Sequence, residues 1–166
     1  MNNKGFTLVE LLATISLLAV LTMIAVPNII GIVNRNKNKT YVEDAKKLVS
    51  LAEYKIRTNP KLKPSNAEES QCLYMSTLGK SDFDTTAPNG GKYNEDLSYV
   101  KVQMISNGDS WSLKYYVVLV EEKAENSYVG ILQETSSDKL YEDNISSLIS
   151  SSTNPSSTNQ QITKCN

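Results

Sequence analysis

Leu11–Val33 reads LLATISLLAVLTMIAVPNIIGIV and contains no charged side chain. As an α-helix, a stretch of this length crosses a bilayer core of roughly 30 Å. Thr14, Ser16 and Thr22 are compatible with such a helix, because their hydroxyls can bond to carbonyl groups of the preceding turn. The stretch therefore predicts a membrane-spanning helix near the start of the chain.

A cleaved secretory signal peptide is the competing interpretation. Its apolar region is shorter, follows a basic segment and ends at a small-x-small cleavage site. Here the apolar run is longer, and no Ala-x-Ala pattern follows it. The sequence therefore favours a helix that is retained in the working protein.

One acidic residue lies just before this run. Glu10 follows Phe6 by four positions in the string GFTLVELL, residues 5–12. An ionised carboxylate in hydrocarbon is costly and needs a partner or an aqueous edge. Glu10 is therefore either a residue at the membrane boundary that reaches for the headgroups, or one member of a charge pair.

The string resembles the processing site and helix start of type IV pilins and the related pseudopilins. The family pattern is a short polar, basic leader that ends in Gly, then Phe, with Glu five residues after that Gly. Residues 1–5 (MNNKG), Phe6 and Glu10 match this pattern, and Pro27 lies where these proteins carry a helix-bending proline. Beyond Val33 the resemblance extends only to the general layout.

The resemblance implies how these residues act. A membrane prepilin peptidase would cut between Gly5 and Phe6 and N-methylate the new amino group of Phe6. Glu10 would then neutralise the N-terminus of an adjacent subunit during assembly. The implied partners are identical or related pilin subunits, the peptidase, the pilus assembly machinery and, before assembly, the membrane.

The resemblance also predicts an α+β pilin fold, with a long N-terminal helix packed on a small antiparallel sheet. We expect a leader at residues 1–5 and a transmembrane, polymerising half-helix at residues 6–33. Residues 34–166 would form the amphipathic half-helix and a globular domain with a Ser/Asn-rich tail. Pro27 predicts a bend or an unwound turn between Met23 and Gly31.

The function implied is that of a structural subunit of an extracellular filament for adhesion, surface motility or aggregation. A pseudopilin of a type II secretion or DNA-uptake system shares the same N-terminal chemistry and remains an alternative. A membrane-anchored, monomeric binding domain is a third possibility. The family places the C-terminal domain outside the cell, whereas the basic residues alone favour the opposite orientation. Lys4 is the only basic residue before the span, and Arg35, Lys37 and Lys39 follow it.

The rest of the chain alternates between two periodicities. After the span, apolar residues recur at spacings of three and four, which predicts an amphipathic helix to about Arg57. Residues 59–94 predict an irregular connection, with a helical turn around 67–78. Period-two patterns then predict three strands, with a turn at Asn107-Gly108 and a polar turn at 122–127. The predicted strands begin at Ser98, cover 110–121 and cover 128–134. The predicted helix stripe consists of Tyr41, Val42, Ala45, Leu48, Val49, Ala52 and Ile56.

Two cysteines, Cys72 and Cys165, lie near the two ends of the predicted globular part. An even number in an exported chain indicates a disulfide, and two unrelated free thiols are the alternative. The bridge would secure a C-terminal tail that has few apolar residues of its own.

Composition argues against several other classes of protein. The 166 residues include no histidine, and 17 basic residues balance 18 acidic ones. The usual general base and the usual metal ligand are thus missing, and no bulk charge favours nucleic acid. Gly79-Lys80-Ser81 lacks the earlier glycine of a phosphate-binding loop, and Asp82-Phe83-Asp84 alone is weak support for a calcium site. We therefore predict no enzyme activity, cofactor, metal site or nucleic-acid partner.

Overall fold

The computed structural model describes residues 5–66, 69–79, 83–124, 127–140, 148–152, 162 and 165. The chain forms two compact units, Met1–Asn36 and Lys37–Asn166. In chain order, the helices and strands are α1 (Leu8–Thr58), a 3-10 turn (Pro60–Leu62), β1 (Ser70–Tyr74), α2 (Met75–Leu78), β2 (Lys92–Tyr93), β3 (Tyr99–Asn107), β4 (Ser110–Ala124), β5 (Ser127–Ser136), a second 3-10 turn (Ser137–Lys139) and β6 (Ser150–Ser152).

The backbone of α1 is helical throughout Leu8–Thr58. The sequence predicted a bend or an unwound turn between Met23 and Gly31, and an unwound turn is not observed. A proline inside a helix loses the hydrogen bond of its own nitrogen and crowds the preceding turn, but its fixed φ is close to the helical value. The helix can thus continue past Pro27.

The part of α1 in the second unit is amphipathic, as predicted. Its apolar stripe packs on one face of the sheet and forms most of the helix contribution to the main core. All seven predicted stripe residues are buried: Tyr41, Val42, Ala45, Leu48, Val49, Ala52 and Ile56. The predicted α+β architecture, a long N-terminal helix with an antiparallel sheet, is confirmed.

The sheet has the strand order β1-β3-β4-β5-β6, and β2 pairs with β4 beside the end of β3. The predicted meander is its centre, β3-β4-β5, in which every neighbouring pair is antiparallel. At the first hairpin, Asn107 pairs with Ser110, so the two turn residues are Gly108 and Asp109 rather than Asn107 and Gly108. Gly108 has φ +73°, a conformation that glycine adopts without steric cost.

Ser70–Tyr74 forms strand β1, where the sequence predicted an irregular connection with a helical turn. This segment (SQCLY) is short, and its pattern is too weak to identify a strand alone. It becomes a strand because its register against β3 pairs Ser70 with Gln103 and Tyr74 with Tyr99. Only the last part of the predicted helical turn exists, as α2 (Met75–Leu78).

The second face of the sheet carries its own apolar cluster. Described residues near the end of the chain cover part of this face. Ile162 is buried in this cluster, and Cys165 packs at its edge. The other buried members are Tyr99, Val118, Val120, Tyr128 and Leu132.

Candidate processing and assembly site

Gly5 and Phe6 lie just before the first turn of α1 and are exposed. The Phe6 side chain is 84% exposed. Among the described residues other than its chain neighbours, no atom lies within 4 Å of the position that a Cβ would take on Gly5. The peptide bond between Gly5 and Phe6 is therefore accessible to an enzyme that must contact the backbone. The sequence-predicted processing residues come directly before Thr7, the residue that precedes α1.

Glu10 is held by a capping box. The backbone N–H and the hydroxyl of Thr7 both donate to Glu10 Oε2 at 2.9 Å, and the N–H of Glu10 donates to Thr7 Oγ1 at 3.3 Å. This reciprocal pattern satisfies backbone donors that a helix N-terminus otherwise leaves without partners. A carboxylate in the first turn is also favoured by the helix dipole. Glu10 therefore has a local role in starting α1.

From the sequence, Glu10 was assigned only to a membrane edge or a charge pair. The missed signal was the spacing Thr7-x-x-Glu10, which is the sequence signature of a capping box. Both hydrogen bonds that Glu10 accepts go to Oε2. Among the described residues, Oε1 has no hydrogen-bond partner and can accept from another molecule.

The apolar part of α1 presents its side chains outward. From Phe6 to Val33, the large apolar residues are 44–84% exposed. Within the described residues, α1 is the only helix that is long and apolar enough to cross a membrane, and its most apolar window is not buried in the chain itself. An exposed apolar surface of this extent marks a membrane or protein contact.

Three hydroxyls in this part of the helix bond back to the helix, as the sequence predicted. Thr14 donates to the carbonyl of Leu11, Ser16 to that of Leu12, and Thr22 to that of Ala19, each at 2.8 Å. Their polarity is thereby satisfied without water. Pro27 lies within α1, and its side chain is outside the described part of the structure.

Residues 1–26 match the family model of the prokaryotic N-terminal methylation motif. The chain carries a type IV pilin-like class III signal. The motif marks a precursor of the type IV pilin or pseudopilin kind, a group of structural proteins that a prepilin peptidase processes and that assemble into pilus-type polymers. Searches among curated proteins and solved structures find no match to the chain. The pilin-type signal and the apolar helix also fit membrane anchoring before assembly.

Cys72 in β1 and Cys165 near the end of the chain form a disulfide, as the sequence predicted. Their Cα atoms are 6.1 Å apart, and 93 positions separate them in sequence. The bridge fixes the C-terminal segment beside the second-face cluster, where Ile162 is buried. It therefore links the first strand to the end of the chain within the second unit.

A buried carboxylate joins α1, the loop before β2, and β4. Glu121 is fully buried and accepts hydrogen bonds from the hydroxyl of Tyr41, from Asn89 Nδ2 at 3.0 Å and from the N–H of Gly91 at 3.3 Å. Lys37 Nζ donates to the Asn89 side-chain oxygen at 3.2 Å. Burial and the hydrogen bond to Glu121 raise the pKa of Tyr41.

A second buried carboxylate ties α1 to β2. Asp44 accepts a hydrogen bond from the Tyr93 hydroxyl at 2.9 Å and from Lys47 Nζ at 2.9 Å. Burial raises the pKa of Tyr93, and the charge of Asp44 adds to this shift. Asp44 is not among the predicted stripe residues, yet the structure buries it at the edge of the stripe. Its placement depends on Tyr93, which is 49 positions away and which no local pattern could have linked to it.

The loop Asp82-Phe83-Asp84, which was weak support for a calcium site, lies partly outside the described residues, because Asp82 is not among them. Asp84 accepts a hydrogen bond from the N–H of Thr86 at 2.9 Å, and this bond lowers the pKa of Asp84. Among the described residues, no group of three or more acidic or cysteine side chains is close enough to hold a metal ion.

Proposed function

We propose that this chain is a structural, non-enzymatic subunit that polymerises through α1 into an extracellular filament. The observation that carries the proposal is the exposed apolar surface of α1 from Leu8 to Val33, beginning at a pilin-type signal. This surface needs lipid before assembly and the helices of other subunits afterwards. Identical or related pilin subunits and the assembly machinery are the proposed partners, and adhesion, motility or aggregation is the proposed role.

Cleavage between Gly5 and Phe6, followed by N-methylation of Phe6, would create a cationic N-terminus. In a dry filament interior, this cation and the Glu10 carboxylate would each be costly alone and much less costly as a pair. Glu10 Oε1 supports such a pairing, because the internal capping bonds occupy Oε2. Capping and pairing can thus coexist on one carboxylate. A slip in axial register would separate the two charges, so the pair would also favour one arrangement of subunits.

The disulfide supports an extracytoplasmic location for the second unit. Disulfides persist in oxidising compartments and are rare in the cytosol. The bridge between Cys72 and Cys165 therefore favours the orientation that the pilin family implies over the one that Arg35, Lys37 and Lys39 favour by charge. We place the helix in the cytoplasmic membrane before assembly, with residues 34–166 outside.

Substitutions at Glu10 and Thr7 separate charge pairing from helix capping. Glu10→Gln retains a side chain that can complete the capping box, but it removes the charge. Thr7→Val removes the capping hydroxyl and leaves the carboxylate. If the charge pairs with a neighbouring N-terminus, cells with Glu10→Gln make few or no filaments, whereas those with Thr7→Val still assemble them. The amount of chain in sheared surface filaments, relative to total chain, is the measurement.

The opposite pattern, with normal filaments from Glu10→Gln and few from Thr7→Val, would limit Glu10 to capping. Normal processing of Glu10→Gln must be verified by N-terminal analysis, so that an assembly defect is not confused with failed cleavage. If the wild-type chain stays in the membrane fraction and still begins at Met1, the monomeric anchored-domain interpretation replaces the filament.

A further inference from the structure

The hairpin of β3 and β4 extends beyond the rest of the sheet. β1 pairs with β3 only over Tyr99–Gln103, and β5 pairs with β4 only from Tyr116 onward. Between these limits, residues 105–107 of β3 pair only with residues 110–112 of β4 in the described part of the sheet. Residues 113–115 of β4 pair with residues 102–104 of β3 and, among the described strands, with none on their other side. We call residues 105–115 the hairpin tip. On both outer edges of the tip, backbone N–H and C=O groups do not pair with any described strand.

Trp111 lies on this tip and is 57% exposed. It is on the same face of β4 as Leu113 and Tyr115, since strand side chains alternate, and these two residues pack against the core beneath α1. Burial raises the pKa of Tyr115, and the charge of Glu53, in the last turns of α1, adds to this shift. Trp111 lies about 13 Å farther along the strand than Tyr115. Trp111 therefore lies on the same face of the sheet as the residues beneath α1, but beyond the part that α1 covers.

The tip presents an exposed aromatic side chain among mostly uncharged neighbours. Residues 105–115 read ISNGDSWSLKY, in which Asp109 and Lys114 are the charged side chains. Aromatic residues are enriched at interfaces, and Trp is frequent among the residues that dominate binding. Ser106 is directly opposite Trp111 in the ladder and leaves the indole ring uncrowded.

The small size of the tip limits what can bind it. One Trp and its neighbours offer a few hundred Å² at most, whereas a stable complex between free proteins buries about 1,200–2,000 Å² in total. A freely diffusing partner would therefore bind weakly. A copy that is already held in the same polymer is present at an effective concentration of the order of millimolar, at which a small contact can form.

We propose that the hairpin tip, with Trp111 at its centre, is a contact surface for a second copy of this chain in the filament. The inference rests on the proposed function and adds the contacting surface of the second unit. The tip of one copy would meet a different surface of the next, which is the arrangement that produces open helical polymers.

Trp111 is the only tryptophan of the chain, so its fluorescence reports on this surface alone. The full-length wild-type chain would be compared as intact filaments and as detergent-dissociated subunits. We expect iodide to quench Trp111 strongly in subunits and weakly in filaments, with blue-shifted emission in filaments. Equal quenching in both states, in normal filaments, would overturn the inference while leaving the proposed function intact.

A second measurement does not depend on detergent near the indole. Ser106→Cys places a thiol opposite Trp111, and we expect a maleimide to label it in subunits but not in filaments. Ser112→Cys, on the other face of β4, tests whether the reagent reaches the hairpin in subunits. Free labelling of Ser106→Cys in filaments would contradict the proposed contact.

The energetic contribution of the contact is tested with Trp111→Ser. Because α1 would still drive assembly, we expect filaments to form but to dissociate about tenfold faster on dilution into detergent. Ser112→Ala is the matched control and should dissociate at the wild-type rate. Unchanged dissociation of Trp111→Ser would count against the contact, whereas absence of filaments from the wild-type chain would instead refute the proposed function.

Discussion

The hydroxyl of Tyr93 in β2 donates a hydrogen bond to Asp44 Oδ2 in α1 over 2.9 Å, and both residues are buried. Tyr41, one turn earlier in the helix, makes an equivalent bond to Glu121 in β4. The rings of Tyr41 and Tyr93 meet edge to face, with their centroids 6.1 Å apart. The helix is thus joined to the sheet by two polar anchors as well as by its apolar stripe.

We predict that Tyr93→Phe destabilises the folded second unit by about 1–3 kcal/mol, because the buried Asp44 loses a donor. Tyr54→Phe is the matched control. Its ring is 61% exposed, so its effect should remain within about 0.5 kcal/mol. Urea unfolding of the full-length chain in detergent measures both, and equal midpoints for the two variants would show that the Asp44 contact adds nothing.

We predict that stability falls as the pH rises above about 10, the pKa of an unperturbed tyrosine. Burial raises the pKa of Tyr41 and Tyr93 in the folded chain, so the unfolded chain releases these protons first. Above that pH the folded state binds more protons, and the free energy of unfolding decreases. Lys47, whose pKa is raised by its hydrogen bond to Asp44, acts in the same direction.

Ultraviolet absorbance of tyrosinate, followed together with circular dichroism, tests this prediction. Tyr41 and Tyr93 should ionise only when the sheet unfolds. The double variant Tyr41→Phe, Tyr93→Phe, although less stable at neutral pH, should lose stability less steeply above pH of about 10. If every tyrosine of the wild-type chain ionises before the chain unfolds, the pKa values of Tyr41 and Tyr93 are not raised by burial.

We predict that removing the disulfide costs about 2–5 kcal/mol of unfolding free energy, because the bridge restricts the unfolded chain and holds the tail. The double variant Cys72→Ser, Cys165→Ser should match the reduced wild-type chain in its urea midpoint. Intact mass supplies the redox state, since the bonded chain is two hydrogens lighter than the reduced one. If reduction of the disulfide leaves the urea midpoint unchanged, the disulfide does not stabilise the fold.

We predict that Gly130→Ala destabilises the sheet strongly. Gly130 has φ +140°, and a Cβ there would lie 2.1 Å from the carbonyl oxygen of Leu119, which is rigid backbone. The conformational strain alone costs about 1–3 kcal/mol, and the clash adds to it. Gly108→Asn is the control, because φ is +73° and no atom of the described residues beyond its chain neighbours lies within 4 Å of the Cβ position. Comparable thermal stability of the two variants would argue against the close approach.

The sequence predictions were most accurate for elements that are long and have a periodic pattern of apolar residues. The stripe of α1 from Tyr41 to Ile56 was predicted in full, since a period of 3.6 repeated over several turns is specific to an amphipathic helix. β3, β4 and β5 were found for the same reason at period two. The signal around Gly5 and Phe6 was recognisable because its residues are contiguous.

The missed features depend on partners that are distant in sequence. β1 is a strand because β3 supplies its register, and Asp44 is buried because Tyr93 supplies a hydrogen bond. Glu121 lies at the end of a predicted strand and carried no distinctive signal in the sequence. In the structure it is fully buried and accepts hydrogen bonds from α1 and from the loop before β2. The capping role of Glu10 is different, because the Thr7-x-x-Glu10 spacing was readable and was overlooked.

The sequence by itself determined the pilin-type signal, the apolar helix, its amphipathic continuation and the central hairpins, because each follows from spacing between near neighbours. Only the tertiary structure decided which polar side chains are buried, that Ile162 and Cys165 pack on the second face and that Trp111 is left exposed on the hairpin tip. These outcomes depend on strand register and on where α1 ends relative to β4. Such distances arise between elements far apart in the chain, and no local pattern encodes them.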